Sequence, residues 1–332
     1  RLRKSGKPFF FIVNKVDEAK HEKELSDFSS IGIENIYPVS AEHGYGVADM
    51  LDDLVAELPE VEDLLLPENT LRIAIVGRPN VGKSSLVNRL LASTRCIVSD
   101  IPGTTRDAVD TILKERDKNF LLIDTAGIKR KGRTREVLDK FSAIMALKAL
   151  DRCDIAVILV DISVGITDQD ATIAGYAFER GRGCLFVVNK WDLAPSLDVT
   201  KDSIKEQIRE KCKFLDFAPV IVLSALSGHG VEFLLPQVEL VYKEYKKKIS
   251  TGKLNDCIEK AIERNPIPSY RGKFVKVQYT TQIKSCPPTL RCFVNYPEAI
   301  HFSYKRYLAN SLRKSFGLSG TPVKLLFSGK KK

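Results

Sequence analysis

The sequence predicts an α/β architecture: a doubly wound, mostly parallel sheet, preceded by the carboxyl-terminal part of a second such unit and followed by a small α+β domain. Three observations carry this reading. Short apolar runs at residues 71–76, 119–124, 155–160, 184–189 and 219–224 alternate with helix-length segments, the pattern of parallel strands covered on both faces. Two stretches recur in the same order: FFFIVNKVD at 9–17 with CLFVVNKWD at 184–192, and VSAEHGYGV at 39–47 with LSALSGHGV at 223–231. From Lys246 onward the composition turns strongly basic, with 19 Lys or Arg against 4 Asp or Glu over 87 residues.

Taken in order, residues 1–62 read as the end of a first α/β unit. Asn189 lies 175 residues after Asn14 and Ser224 lies 184 after Ser40. In the second copy a glycine-rich turn around Asn80 precedes Asn189 by 109 residues; the same distance before Asn14 falls before residue 1, so the first unit is expected to be cut short. The missing initial Met agrees with a fragment or processed chain. Residues 63–71 form an acidic connector, and 72–248 the complete unit, whose first helix carries Leu86, Leu90 and Leu91. Residues 249–332 read as helix 254–264, strands 273–280 and 290–296, helix 302–316 and strand 322–327, an αββαβ order.

Composition narrows the class. With 332 residues, 44% hydrophobic and 28% charged, the chain is of the globular type, with room for two or three domains. No run of 18 apolar residues occurs and the amino end is unlike a signal peptide, so no membrane partner is expected. Seven Cys without a CxxC pair and four scattered His argue for a reducing, cytoplasmic compartment and against a zinc cluster. The net charge of +10 divides into −5 for residues 1–245 and +15 for 246–332, so an anionic partner would meet one domain.

The motifs point to a nucleotide. Gly77, Arg78, Pro79, Asn80, Val81, Gly82, Lys83 and Ser84, followed by Ser85, form a phosphate-binding loop between a strand and a helix. Its glycines let backbone N–H groups curl around phosphate oxygens, Lys83 neutralises the β- and γ-phosphates, and the Ser84 hydroxyl ligates Mg²⁺. Asp124, Thr125, Ala126 and Gly127 end an apolar strand, placing a carboxylate near the metal and an N–H near the γ-phosphate. Asn189, Lys190, Trp191 and Asp192 favour guanine, because a carboxylate can accept from N1–H and the exocyclic amine of guanine, which adenine cannot match. Ser224, Ala225 and Leu226 would present a backbone N–H to guanine O6.

These four motifs resemble the translation-factor class of P-loop GTPases, and tandem units followed by a basic domain resemble the Der or EngA family of double Era-like GTPases. The resemblance implies GTP/GDP and Mg²⁺ as ligands, with Ser84, Thr105 and Asp124 around the metal and Lys83, Thr105, Asp124, Gly127 and Asn80 in hydrolysis. It assigns Asn14, Lys15, Val16 and Asp17 to guanine reading in the first unit. Thr105 stands in DIPGTTRD at 100–107, the expected nucleotide-sensing switch. Ile128 occupies the place where other GTPases carry a water-orienting glutamine; the resemblance then implies K⁺ as a fixed charge, held by Asn80. The basic segment 128–137 reads equally as a solvated switch loop or as an RNA or domain contact.

The carboxyl-terminal domain resembles the KH-like domain of that family. Its Gly317-Leu318-Ser319-Gly320 lies between a helix and a strand, whereas a KH clamp lies between two helices, so RNA clamping there is not expected; contact with the first unit, or shape and phosphate recognition of RNA, are the open readings. The family implies a monomer acting in large-subunit ribosome assembly, with ribosomal RNA or a ribosomal particle as partner. A nucleotide-gated RNA-binding module with incidental hydrolysis is the alternative, and a tRNA-modification GTPase a weaker one, since those lack the repeat.

Overall fold

The computed structural model describes residues 9–17, 36–57, 67, 70–92, 96–101, 110–115, 117–124 and 135–329. The chain divides into two compact units, Arg1–Leu66 and Pro67–Lys332.

In the first unit β1 (Phe11–Asn14) pairs in parallel with β2 (Ile36–Val39), and α1 (Val47–Glu57) follows. After β1 the chain passes through Lys15 at φ 73°, and the Val16 N–H returns to Val39 O at 3.0 Å.

The second unit opens on β3 (Leu71–Val76) and α2 (Lys83–Ala92), then β4 (Cys96–Ile101), β5 (Asp110–Glu115), β6 (Lys118–Ile123) and α3 (Arg135–Arg152). It continues through β7 (Ile155–Asp161), α4 (Asp168–Glu179), β8 (Gly183–Asn189), α5 (Lys201–Lys211), β9 (Val220–Val222) and α6 (Leu234–Tyr245). The strands form one seven-stranded sheet in the order β4-β5-β6-β3-β7-β8-β9, antiparallel at the β4-β5-β6 edge and parallel from β6 onward. Every residue of β7 and β8 is buried, as expected of strands covered on both faces. Leu86, Phe120, Leu159, Leu185, Val238 and Tyr245 share the core beneath the sheet. The last strand is shorter than its apolar run suggests, because the Ser224 N–H turns away to His229 O at 2.9 Å.

The basic domain contains α7 (Thr251–Arg264), β10 (Val277–Lys284), β11 (Thr289–Val294), α8 (Phe302–Phe316) and β12 (Lys324–Ser328), in the expected αββαβ order. β11 is central, antiparallel to β10 and parallel to β12. The helices cover one face through Leu254, Ile258, Tyr304, Leu308 and Leu312 against Leu290. The first strand starts four residues later than expected. Tyr270 and Lys273 bond each other's backbones at 2.9 Å, and Asn295 takes the Lys276 N–H and Phe274 O at 2.8 Å each, so the chain before Val277 is engaged outside the sheet.

Gly317 and Gly320 have structural tasks. Gly317 ends α8 at φ 66°. Gly320 joins the basic domain to the nucleotide-binding fold: its N–H donates to Phe217 O at 3.0 Å and its carbonyl accepts from the Cys184 N–H at 2.7 Å. A Cβ there would lie 2.8 Å from Cys184 O and from the Val241 methyl groups. Beside this seam the Arg313 guanidinium stacks 3.8 Å over the Phe217 ring, and burial pushes its pKa down to about 10. The seam meets β8 at Cys184 near its start, and Asn189 at its far end is about 17 Å away at the rise of a strand. Among the described residues no helix is long and apolar enough to cross a membrane.

Candidate nucleotide site

The carboxyl ends of β3, β7 and β8 carry Gly77, Asp161 and Asn189, so the parallel sheet delivers two motif regions and a further carboxylate to one edge. Gly77 follows β3 at φ 152°, where a Cβ would lie 2.6 Å from Leu159 O. Gly82, at φ 99°, passes so close to Asn189 that a Cβ would come within 2.2 Å of Nδ2. Pro79 and exposed Asn80, at φ 63°, form the outer turn, and Val81 is buried beneath it. Lys83, Ser84 and Ser85 open α2, with the Leu86 N–H bonded to Gly82 O at 2.9 Å.

Lys83 Nζ donates to Gly77 O at 2.8 Å and Arg78 O at 2.7 Å, closing the loop upon itself. Burial pushes its pKa down to about 8, against the opposing influence of Asp170. The loop is also anchored from outside. Arg78 Nε donates to both oxygens of Asp170, at 3.0 and 2.9 Å. Asp170 is fully buried in the first turn of α4, where Thr167 donates to it through its N–H at 3.0 Å and its hydroxyl at 2.8 Å.

Asn189 joins two loops. Its Nδ2 donates to Val81 O at 2.8 Å, and its Oδ1 accepts the Ala225 N–H at 2.9 Å. The Ala225 N–H expected to face guanine O6 is thus held by a residue 2% exposed. Lys190 follows at φ 64° and its Nζ bonds Asp161. Burial alone would raise the Asp161 pKa, but hydrogen bonds from Lys190 and from both the hydroxyl and N–H of Ser163 hold the carboxylate below its ordinary range. The backbone N–H of half-buried Trp191 donates to Leu223 O at 3.1 Å. The Ser224 hydroxyl donates to Asp192 Oδ1 at 2.5 Å and accepts the Ser227 N–H at 3.1 Å, so it orients the carboxylate. Leu226 is exposed, and Arg89 on α2 donates to Ala225 O at 3.3 Å and to Leu226 O, bracing the loop.

The first unit repeats three side-chain bonds of this corner. The Ala41 N–H donates to Asn14 Oδ1 at 3.0 Å, the Ser40 hydroxyl to Asp17 Oδ1 at 2.7 Å, and the His43 N–H to Ser40 Oγ at 3.2 Å. Lys15 shares the positive φ of Lys190, and buried Val16 takes the place of Trp191.

Asp124 follows β6 at φ 58°, its N–H donating to Asp110 Oδ1 at 3.0 Å, while Asp110 is itself paired with Arg152. Thr105, Thr125, Ala126, Gly127, Ile128 and the basic segment to residue 134 lie outside the described residues. Sequence reasoning missed Asp170, Asp161, Asp110, Arg152 and Arg89. Only Asp170 left a local signal, the Thr167-x-x-Asp170 spacing of a capping box.

The donor set fits a polyphosphate and a hard cation. A glycine cradle faces a partly desolvated lysine, a serine hydroxyl begins the helix, and an aspartate ends the adjacent strand. A family model described as 50S ribosome-binding GTPase matches residues 72–190, and one described as the KH-domain-like C-terminal domain of EngA bacterial GTPase enzymes matches residues 248–328. Fold and site together define a P-loop GTPase, which binds guanine nucleotide with Mg²⁺ and hydrolyses GTP.

GTPase Der of Desulforapulum autotrophicum is 49% identical over 99% of this chain and 69% of its own length, and that of Geotalea daltonii 45% identical over 99% and 75%. The chain belongs to the GTPase Der family. A solved structure of Era with MgGDPNP and a 16S ribosomal RNA segment aligns at 21% identity and a TM-score of 0.41, over 79% of this chain and 93% of that one.

Proposed function

We propose that the chain uses GTP hydrolysis as a switch in assembly of the large ribosomal subunit, acting as a cytoplasmic monomer that contacts ribosomal RNA through its basic domain. The observation that carries this reading is the joining of a phosphate loop and a guanine corner through Asn189 in a unit whose sheet also bears the +15 domain. Asp192 reads guanine, Lys190 lies along the base, and Ser224 with Ala225 and Leu226 closes the pocket. Asn14, Lys15, Val16 and Asp17 form the corresponding reader of the first unit. Lys83 leaves the carbonyls of Gly77 and Arg78 for the β- and γ-phosphates, and Arg78 keeps the loop fixed on Asp170 while it does so.

Ser84, Thr105 and Asp124 would hold Mg²⁺, which when bound neutralises charge on the β- and γ-oxygens. The Gly127 N–H senses the γ-phosphate. Because Ile128 has no group to orient water, Asn80 in the exposed outer turn is assigned to K⁺, and unassisted turnover is expected at ~10⁻⁴–10⁻² s⁻¹.

Sedimentation of the protein with ribosomal particles in GDP and in a non-hydrolysable GTP analogue tests the assembly role. Nucleotide-dependent co-sedimentation is expected, and failure to bind any particle in either state overturns it. Equal turnover in NaCl and KCl would remove the K⁺ assignment.

A further inference from the structure

Among the described residues, nothing covers the part of the KH-like sheet face around Tyr279, Arg291 and Leu326. Leu290, Cys292 and Val294 of β11 are buried on the helix side, so Arg291 and Phe293 occupy the opposite face, which closes at buried Thr289 where its partner Lys324 lies beside Gly181. The register sets Tyr279, Phe293 and Ser328 in one row and Thr281, Arg291 and Leu326 in the next. Tyr279 and Phe293 stand side by side with ring centroids 6.2 Å apart and planes 32° from parallel. Tyr279, Ile283 and Leu326 are each nearly half exposed, and Arg291 is exposed on the central strand between them.

Such a face is unusual on a domain carrying +15, because aromatic and aliphatic groups are left in water beside an arginine. The surplus charge of the domain favours a polyanion, and the rings beside Arg291 favour one with accessible planar groups. A duplex offers only its phosphates and edges, while an unpaired strand offers bases that stack on aromatic rings. The Gly317 and Gly320 pair is not available for backbone clamping, since one ends α8 and the other is packed against Cys184.

We propose that this sheet face is a stacking platform for single-stranded RNA: unpaired bases lie on Tyr279 and Phe293, with Arg291 on a neighbouring phosphate or base plane. The inference rests on the RNA-binding reading above and specifies its surface and its strand form.

Anisotropy titration of the full chain with a short fluorescein-labelled single-stranded RNA, and with the same strand annealed to its complement, tests it. The single strand binds more tightly. Tyr279→Ala and Phe293→Ala each weaken single-strand binding ~5–100-fold with little change for the duplex. Tyr279→Phe and Phe293→Tyr preserve it, and Arg291→Ala lowers the salt slope by ~0.7. If the folded alanine variants bind the single strand like the parent, the platform is refuted while RNA binding stands. A preference for duplex refutes it equally, and absence of all RNA binding refutes the underlying reading instead. Should the alanine variants not fold, photocrosslinking of thiouridine-substituted RNA to the unaltered chain decides: adducts on β10 and β11 support the platform, and adducts only elsewhere overturn it.

Discussion

Asn189→Ala should destabilise the nucleotide site strongly, for a reason visible in its bonds. The side chain satisfies Val81 O at 2.8 Å and the Ala225 N–H at 2.9 Å, in a position 2% exposed. Removing it leaves two buried backbone groups without partners, at about 1–3 kcal/mol each, or about 2–6 kcal/mol together. For a unit of this size that corresponds to a fall in Tm of roughly 5–20 °C. It also frees the phosphate loop from the base loop, so guanine-nucleotide affinity should fall at least about tenfold through lost preorganisation. The repeat supplies an internal control. Asn14 makes the corresponding bond to the Ala41 N–H at 3.0 Å but is exposed, so water replaces it, and Asn14→Ala should cost under about 1 kcal/mol. Calorimetry of both variants, with fluorescent GDP titration, measures the difference. If Asn189→Ala melts within about 2 °C of the parent and binds GDP as tightly, the bracing argument is wrong.

Three further outcomes follow from the same geometry. Gly82→Ala places a Cβ 2.2 Å from Asn189 Nδ2 at φ 99°, so the variant should lose GDP binding while its circular dichroism still reports a folded chain; undiminished GDP affinity would contradict this. Lys83 is held near pKa 8 by burial, and bound phosphate charge raises that value, so binding takes up a proton above pH ~8. Affinity should be level below pH ~7 and decline by up to about tenfold per unit from ~8 toward ~10, and a flat profile through that range excludes the linkage. The same depressed pKa penalises folding below ~8, and this penalty fades as pH rises toward the unfolded lysine value. Arg313→Ala removes the stack on Phe217 and the bond to Thr321 O at 3.3 Å, at about 1–3 kcal/mol. The KH-like domain should then melt ahead of the nucleotide-binding fold, and an unchanged calorimetric profile would deny the seam that role.

The αββαβ order and the mostly parallel sheet were legible because each rests on local periodicity. The turns at 77–84 and 189–192 and the repeat of the latter at 14–17 were legible as motifs because each is carried by adjacent residues. The late start of β10 was not legible: Asn295 competes for the backbone at Phe274 and Lys276 from about twenty residues away. Asp170 could be read as a helix cap, but not as the anchor of Arg78 across 92 residues.

What the sequence by itself determined is the class of fold, the family, and the internal repeat of the NKxD and SA stretches. The tertiary structure decided what those residues do before any nucleotide arrives. Asn189 is a brace, Lys83 closes its own loop, Arg89 supports Ala225 from 136 residues earlier, and Gly320 is a seam. The physical reason is that periodicity and loop chemistry are properties of neighbours along the chain. Which buried hydrogen bond a side chain finally makes depends on how the crossovers of a parallel sheet bring distant loops to the same edge.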